Sequence, residues 1–447
     1  MTPCDLVLRN CSDLLRRIDP VCAIGTLRSV RGLLFESAGP RAALGDLCRV
    51  SAGHGGRKIL AEVVGFSGGR TLLMPLEETD GIVPGAKVET VGGPLTVPVG
   101  EAMLGRVLGG TGEPIDGAGP IEARSRRAVT AQMLPPLSRP PITKPLAVGI
   151  KAVDAFMTLG RGQRVGIFGP GGTGKSSILG QIARNTHADV NVICLVGERG
   201  REVREFIEFC LGEEGMRRSV VVAVTADMPA ALRIRGTQVA MTVAEHFRDR
   251  GLDVALMMDS VTRIAMAQRE IGLAVGEVPA ARGYTPSVFA TLPKLFERSG
   301  TSESGSITGF FTVLTDEDDT ADPVSEAVMA LLDAHLILSR SLATAGRYPA
   351  IDVVRSQSRL MPRVVDAKHG SAATEARMLM STYYQRKDLL DVGAYRSGQD
   401  KTLDRAIELV PAIEEFLRQD ASDNAAMEET VSHLCRMVST STVEPTA

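Results

Sequence analysis

The spacing of hydrophobic residues changes twice along the chain. Between residues 22 and 97, short apolar runs are interrupted at close intervals by glycine and proline. This pattern is typical of the short strands of a small β-barrel or sandwich. The predicted strands are 25–35, 45–50, 59–66, 71–75 and 87–91.

From about residue 142 to 365, continuous apolar strands alternate with helical segments. Strands are predicted at 164–168, 190–196, 219–225, 254–258 and 309–314, with helices at 175–185 and 201–211 among them. Buried apolar strands separated by helices indicate a parallel α/β sheet. The preceding segment, 109–141, is rich in glycine, proline and arginine and is predicted to be a connection with little regular structure.

The two ends of the chain are predicted to be helical. Beyond about residue 374 the strand pattern almost disappears, and helices are predicted near 374–392, 402–418 and 424–437. Residues 2–18 form an amphipathic pattern. That pattern fits either a packed terminal helix or a docking helix for a partner or an anionic membrane surface.

The composition of the chain favours a globular protein and argues against some classes of partner. With 447 residues, 44% of them hydrophobic, the chain can bury a sizeable core, and its net charge of -3 argues against nucleic acid as the main partner. The seven cysteines include no CxxC pair, so we expect reduced thiols in a cytosolic protein. No apolar run is long enough to span a bilayer, so any membrane contact is expected to be peripheral.

One segment carries a complete phosphate-binding motif, G-x-x-x-x-G-K-[ST], between a predicted strand and a predicted helix. Its glycines permit close backbone approach to phosphate, and its amides face the anion at the start of the helix. Lysine and serine in the motif bind the β/γ-phosphates and Mg²⁺ respectively. The predicted ATP or GTP ligands are Gly169, Pro170, Gly171, Gly172, Thr173, Gly174, Lys175, Ser176 and Ser177.

Two acidic residues follow neighbouring apolar strands, where ligands bind in open α/β sheets. Asp259 ends the strand 254–258 and is predicted to hold Mg²⁺ together with Ser176; the alternative is that it caps the next helix. Glu198 follows the strand 190–196 and is predicted to orient the attacking water. Glu202 is the competitor for this role, although a surface ion pair suits its position.

Several further stretches, combined with the phosphate loop, resemble one family. They are RGQR at 161–164, GERGREV at 197–203, DSVTRIAMAQRE at 259–270, GYTPSVFATLPKLFERSG at 283–300 and YPAIDVVRSQS at 348–358. The combination resembles the type III secretion ATPases of flagella and injectisomes, which are related to rotary ATP synthase catalytic subunits. The resemblance runs from roughly residue 18 to 419.

The resemblance implies an α/β protein with a RecA-like P-loop sheet, an N-terminal β-barrel and a C-terminal helical domain. We place the docking helix at 1–20, the barrel at 21–97, the RecA-like ATPase domain at 98–373 and the helical domain at 374–447. The family also implies a homohexamer with ATP at the subunit interfaces.

Three site residues are assigned through the resemblance. Arg359 matches the arginine finger that enters the neighbouring subunit's site, whereas composition alone favours an ordinary surface arginine. Arg199 is expected to support Glu198, and Tyr348 matches the aromatic that stacks on adenine. The sequence departs from the rotary synthases near Ala421, where those enzymes close the adenine pocket with phenylalanine, so base selectivity is expected to be loose.

The implied function is Mg-dependent ATP hydrolysis that powers type III protein export. The implied partners are a stator-like regulator at the N-terminus, a coiled-coil stalk protein, an export gate and chaperone–substrate complexes, at the cytoplasmic face of the inner membrane. The alternatives are a catalytic subunit of a rotary H⁺-transporting ATPase, a RecA-like hexameric RNA helicase and a non-catalytic nucleotide-binding subunit. The sequence does not distinguish a flagellar system from an injectisome.

Overall fold

The computed structural model describes residues 23–53, 56–130, 133–315 and 322–439. The predicted docking helix at 1–20 therefore lies outside the described residues. The chain divides into two compact units between Leu95 and Thr96, close to the predicted boundary at residue 97.

The first unit is a closed, six-stranded antiparallel barrel in the order β1-β2-β5-β4-β3-β6. Alternate residues such as Leu27, Phe35 and Val88 fill its interior. The strands are β1 Ile24–Arg31, β2 Leu34–Ala38, β3 Leu47–Ser51, β4 Lys58–Ser67, β5 Arg70–Pro75 and β6 Lys87–Thr90.

The prediction of one strand over 25–35 is wrong in detail, because this segment is a hairpin. The chain turns at Gly32, whose φ of +56° is readily adopted by glycine. Val30 then pairs with Phe35 across the hairpin.

The second unit is built on a mainly parallel sheet in the order β19-β18-β12-β17-β15-β13-β14-β8, with β16 added antiparallel to β17. β19 is also antiparallel, and the other seven strands run parallel. Its strands and those of two small sheets are β7 Thr96–Val99, β8 Val107–Leu108, β9 Ser125–Ala128, β10 Pro145–Leu146, β11 Leu159–Gly160, β12 Arg164–Gly169, β13 Val190–Val196, β14 Ser219–Val224, β15 Asp253–Asp259, β16 Gly300–Thr301, β17 Ser306–Leu314, β18 Ala334–Ile337 and β19 Gln357–Ser358.

Helices connect these strands and continue to the C-terminus. The α-helices are α1 Lys151–Phe156, α2 Lys175–Asn185, α3 Gly200–Glu205, α4 Gly212–Arg217, α5 Ala230–Asp249, α6 Val261–Ala274, α7 Pro286–Phe296, α8 Pro323–Leu331, α9 Arg340–Thr344, α10 Met361–Val364, α11 Ala367–Gln385, α12 Lys387–Asp391, α13 Lys401–Leu417 and α14 Met427–Ser439. Part of the helix predicted at 201–211 is a π-helix, Phe206–Leu211. The segment predicted to be irregular contains β9, which pairs with β7.

The C-terminal helices share a hydrophobic core with the sheet. Leu379 of α11, Val410 of α13 and Leu434 of α14 are buried in the same cluster as Ile167 of β12. The predicted fold class, a P-loop α/β core with an N-terminal barrel and a C-terminal helical region, is confirmed. Among the described residues, no helix combines the length and apolar character needed to cross a membrane.

Candidate nucleotide-binding site

The phosphate loop connects strand β12, an interior strand of the sheet, to helix α2. Gly172 and Gly174 have φ of +79° and +90°, which favours glycine at both positions. Thr173 Oγ1 donates to the carbonyl of Pro170 at 2.8 Å and closes the loop from within. A Cβ at Gly169 would lie 2.8 Å from Leu338 Cβ, so the loop begins where the backbone is closely packed.

A cavity of about 460 Å³ opens beside this loop, at the carboxyl edge of the sheet. It brings together most of the loop with both predicted acidic residues. Of the predicted site residues, those lining it are Gly171, Gly172, Gly174, Lys175, Ser176, Ser177, Glu198 and Asp259.

Lys175 begins helix α2 with its side chain folded back over the loop. The side chain is largely buried, and Nζ donates to the carbonyls of Gly169 at 2.8 Å and Pro170 at 2.6 Å. Burial lowers the pKa of Lys175 to about 8. The negative charges of Asp259 and Glu198 act in the other direction and partly offset this shift. A phosphate group can replace the two carbonyls as the partner of this partly desolvated ammonium.

Asp259 lies at the end of β15, with one oxygen facing the loop and the other held by the sheet. Ser176 Oγ donates to Asp259 Oδ2 at 2.9 Å, and Thr312 Oγ1 of β17 donates to Asp259 Oδ1 at 2.7 Å. The next helix is capped by Ser260, whose side chain accepts from the amide of Arg263, so Asp259 is not used as that cap. A hydroxyl and a carboxylate, both hard oxygen donors, fit the preferences of Mg²⁺.

Glu198 lies just beyond β13 and shares a hydrogen bond with Glu202. Burial, the charge of Asp259 and this bond raise the pKa of Glu198 to about 7, whereas the bond to Glu198 lowers the pKa of Glu202. Protonated Glu198 therefore donates this hydrogen bond, and the Glu202 carboxylate accepts it. Glu202 also lines the cavity, so its role extends beyond the predicted surface ion pair.

Arg263 also lines the cavity, although it is not among the site residues predicted from the sequence. It lies in the first turn of α6, and its charge opposes the raised pKa of Glu198. Its buried Nε atom has no hydrogen-bond partner among the described residues. A cationic side chain beside the phosphate loop is suited to contact a phosphate.

Six predicted residues lie outside the cavity lining: three belong to the phosphate loop itself (Gly169, Pro170 and Thr173), and the others are Arg199, Arg359 and Tyr348. The side chain of Arg199 is 84% exposed and approaches Glu202 at 3.7 Å. Arg359 is exposed at the end of β19, where its amide donates to the carbonyl of Asp333, at the sheet edge opposite the phosphate loop. Tyr348 is 49% exposed, and its carbonyl accepts from the amide of Gln419.

The segment 419–423 packs against helix α2, which begins at the phosphate loop. Gln181 Nε2 donates to the carbonyl of Asp423 at 3.2 Å, and Arg184 donates to the carbonyl of Ala421. The structure thus brings the segment that contains Ala421 beside α2 and hydrogen-bonds it to Tyr348 through Gln419.

The chain matches three family descriptions in order along its length. Residues 28–92 match the beta-barrel domain of the ATP synthase alpha/beta family, and residues 149–358 match the nucleotide-binding domain of that family. Residues 365–436 match the T3SS EscN ATPase C-terminal domain.

Individual proteins are similar over nearly the whole chain. The flagellum-specific ATP synthase of Bacillus subtilis is 47% identical, over 94% of this chain and 97% of that protein. The type 3 secretion system ATPase of Xanthomonas euvesicatoria is 49% identical, over 92% and 93%. The assembled ATPase EscN of enteropathogenic E. coli is 38% identical with a TM-score of 0.88, over 93% of this chain and 100% of EscN. EscN in complex with its central stalk EscO gives a TM-score of 0.86 at 38% identity, with the same coverage.

Proposed function

Because the chain belongs to the family of flagellum-specific ATP synthases and type 3 secretion system ATPases, we propose that it hydrolyses ATP to power type III protein export. The observation that carries the proposal is the single cavity that joins the phosphate loop to Glu198 and Asp259. The match of the C-terminal region to the EscN domain favours export over proton-coupled ATP synthesis and over RNA translocation.

Each residue of the cavity has a separate role in the proposed phosphoryl transfer. Lys175 and the amides of the loop bind the phosphates, and Glu198 in its ionised form positions the attacking water. Ser176 and Asp259 would hold Mg²⁺, which when bound neutralises charge on the phosphates. Glu202 lies within hydrogen-bonding reach of Glu198 and, as the acceptor, stabilises Glu198 when Glu198 carries the proton that it takes up.

The site is completed by a second copy of the chain in a homohexamer. Arg359 lies at the opposite sheet edge from its own phosphate loop, and no described side chain forms an ion pair with it. A free guanidinium on a fixed backbone is suited to enter a neighbouring site, where it stabilises charge on the transferred phosphoryl group. The proposed role of Arg199 is to support Glu198 indirectly, through its contact with Glu202.

The proposed setting is the cytoplasmic face of the inner membrane, with peripheral contact to the export apparatus. EscN is described with its central stalk EscO, and we propose that a coiled-coil stalk protein enters this ring in the same way. A stator-like regulator is proposed at the N-terminus, and the export gate and chaperone–substrate complexes as further partners. No specific nucleic acid is proposed.

The proposal is tested in a strain that lacks the chain and is complemented with variants. Glu198→Gln is expected to bind ATP but to lose turnover by about 10²-fold, within the range of positioned acid–base groups, and to lose secretion with it. Glu208→Gln is the matched control, because Glu208 pairs with Arg204 on the surface and does not line the cavity. Secretion of flagellar and of host-directed substrates is measured separately, which identifies the system served. Undiminished secretion by a Glu198→Gln chain without turnover would contradict the proposal.

A further inference from the structure

Gln163 is a fully buried amide at the start of the strand that leads to the phosphate loop. Its Oε1 accepts from the amide of Gly160 at 2.8 Å, and its Nε2 donates to Ser358 Oγ at 3.0 Å. Ser358 Oγ in turn donates to the carbonyl of Thr158 at 3.1 Å. Both polar groups of the amide are therefore used, and the side-chain conformation is fixed.

Ser358 is the residue immediately before Arg359, so this network holds the base of the proposed arginine finger. The backbone of Ser358 pairs with Ala334 of β18, and the amide of Arg359 donates to the carbonyl of Asp333 at 3.0 Å. The Asp333 carboxylate also accepts from the amide of Arg164, next to Gln163. The backbone at Arg359 is thus fixed from several sides, although its side chain is exposed.

We propose that Gln163 is a positioning residue for Arg359 and acts through its hydrogen bond to Ser358. The inference rests on the proposed function, in which Arg359 acts on a neighbouring subunit's ATP. Gln163 is adjacent to the first residue of β12, and the phosphate loop begins at the last, about 17 Å away at ~3.3 Å per residue. Strand β12 therefore connects the phosphate loop of one subunit to the network that holds Arg359, the residue proposed to act on the neighbouring subunit's ATP.

The central experiment compares one serine variant and one glutamine variant of the full-length chain. Ser358→Ala removes the acceptor of the Gln163 amide, and Gln163→Met removes the amide at similar volume. Ser219→Ala is the matched control, since Ser219 is buried, donates to the carbonyl of Gly215 at 2.6 Å and accepts from the Asn191 amide at 3.3 Å, away from Arg359.

Misplacement of a catalytic group by about 1 Å can lower the rate by about 10²-fold. We therefore expect Gln163→Met and Ser358→Ala to lower kcat by about 10-fold or more and to leave the KM for ATP within about twofold. Ser358→Thr retains the hydroxyl and is expected to restore kcat. Ser219→Ala is expected to keep the wild-type kcat. Hexamer formation is verified by size for each protein.

Mixed rings separate positioning from a general structural effect. Lys175→Ala subunits have an inactive site but an intact finger, so mixing them with Gln163→Met subunits should recover activity at hybrid interfaces. In an Arg359→Ala background, Gln163→Met should lower kcat no further. Wild-type kcat in both Gln163→Met and Ser358→Ala, or a loss that mixing does not relieve, would overturn the inference.

The control with Arg359→Ala keeps the two proposals distinguishable. If Arg359→Ala turns over at the wild-type rate, the action of Arg359 on the neighbouring site is wrong, and the inference about Gln163 falls with it. If Arg359→Ala is slow while Gln163→Met and Ser358→Ala are normal, the positioning role alone is wrong. Should Gln163→Met fail to assemble, Ser358→Ala decides the question, because it keeps the hydrogen bond that the Gly160 amide donates to Gln163 Oε1.

Discussion

Ser176 and Asp259 are joined by a hydrogen bond of 2.9 Å between Oγ and Oδ2, although 83 residues separate them along the chain. Ser176 follows β12 and Asp259 ends β15, and the strand between them, β17, carries Thr312, which fixes the second carboxylate oxygen. The sheet order therefore brings a hydroxyl and a carboxylate, the two donors predicted for Mg²⁺, to one point beside the phosphate loop.

Asp259→Asn is expected to lower the affinity of the site for Mg²⁺ without preventing nucleotide binding. Loss of the carboxylate charge should raise the Mg²⁺ concentration for half-maximal turnover by about 10-fold or more, as for other residues that support metal ligands. The measurement is ATP hydrolysis against total Mg²⁺, with binding of a fluorescent nucleotide in parallel.

The control for this prediction lies at the other end of the same strand. Asp253 begins β15 and accepts from Ser306 Oγ at 2.7 Å, at the edge opposite the phosphate loop. Asp253→Asn removes an equal charge and should leave the Mg²⁺ dependence unchanged. An unaltered dependence in Asp259→Asn would remove Asp259 from the metal site.

The pH dependence of kcat/KM should show the titration of the Glu198 carboxyl group and of the Lys175 ammonium group. The pKa of Glu198 is raised to about 7, so the carboxylate that we propose to position water forms as the pH rises through that value. The pKa of Lys175 is lowered to about 8, so the ammonium that we propose to bind phosphate is lost as the pH rises further. We expect a bell-shaped profile for the free enzyme, measured from about pH 5 to 10.

The Glu202→Gln variant tests the assignment of the rising limb. Both the charge of Glu202 and its hydrogen bond raise the pKa of Glu198, so their removal should shift the rising limb to lower pH. The falling limb should stay in place, because Glu202 does not contribute to the shift of Lys175. A rising limb that is unmoved in Glu202→Gln would assign it to another group.

Arg359→Ala is expected to abolish turnover in pure rings and to be rescued in mixed ones. An arginine finger raises kcat by about 10³- to 10⁵-fold in related phosphoryl-transfer reactions. Arg359→Ala subunits retain their own cavity, and Lys175→Ala subunits retain the finger, so hybrid interfaces contain one complete site. The measurement is ATP turnover against mixing ratio, with rings verified by size, and the absence of recovery would count against action between subunits.

The predicted site residues that the structure brings together share a simple physical origin. Lys175 and Ser176 are fixed by the local motif, and Glu198 and Asp259 follow buried parallel strands whose carboxyl ends meet at one edge. The hairpin of the barrel was not predicted because a turn of only two residues, Gly32 and Leu33, separates its strands.

Arg263 and the pairing of Glu202 depend on tertiary packing, which spacing does not reveal. Arg263 enters the cavity because α6 packs closely on Gly197, where an added Cβ would lie 2.8 Å from Arg263 Cβ. Glu202 reaches Glu198 because α3 begins directly after the turn that follows β13. Both residues lie within stretches that carried the family resemblance, so proximity to Glu198 and Asp259 in sequence was the available signal.

Tyr348→Ala is expected to weaken ATP binding while chemistry is largely preserved. Tyr348 is half-exposed, and the amide of Gln419 fixes its carbonyl at 3.0 Å. Loss of an aromatic side chain stacked on a base costs about 1–3 kcal/mol of binding free energy, so the KM for ATP should rise by about 5- to 150-fold, with kcat changed little. Tyr348→Phe retains the ring and should behave like the wild type in steady-state kinetics.

The KM for GTP should rise with the KM for ATP in Tyr348→Ala, because a ring that stacks on one face of the base distinguishes purines poorly. Ala421, in the segment packed on α2, contributes no second aromatic face. Ala421→Phe should therefore lower the KM for both nucleotides. Tyr384→Ala is the matched control, since this exposed tyrosine of α11 bonds to Glu414 and should not alter either KM. Equal KM values for Tyr348→Ala and the wild type would place the base elsewhere, because the substitution removes the ring on which the base is predicted to stack.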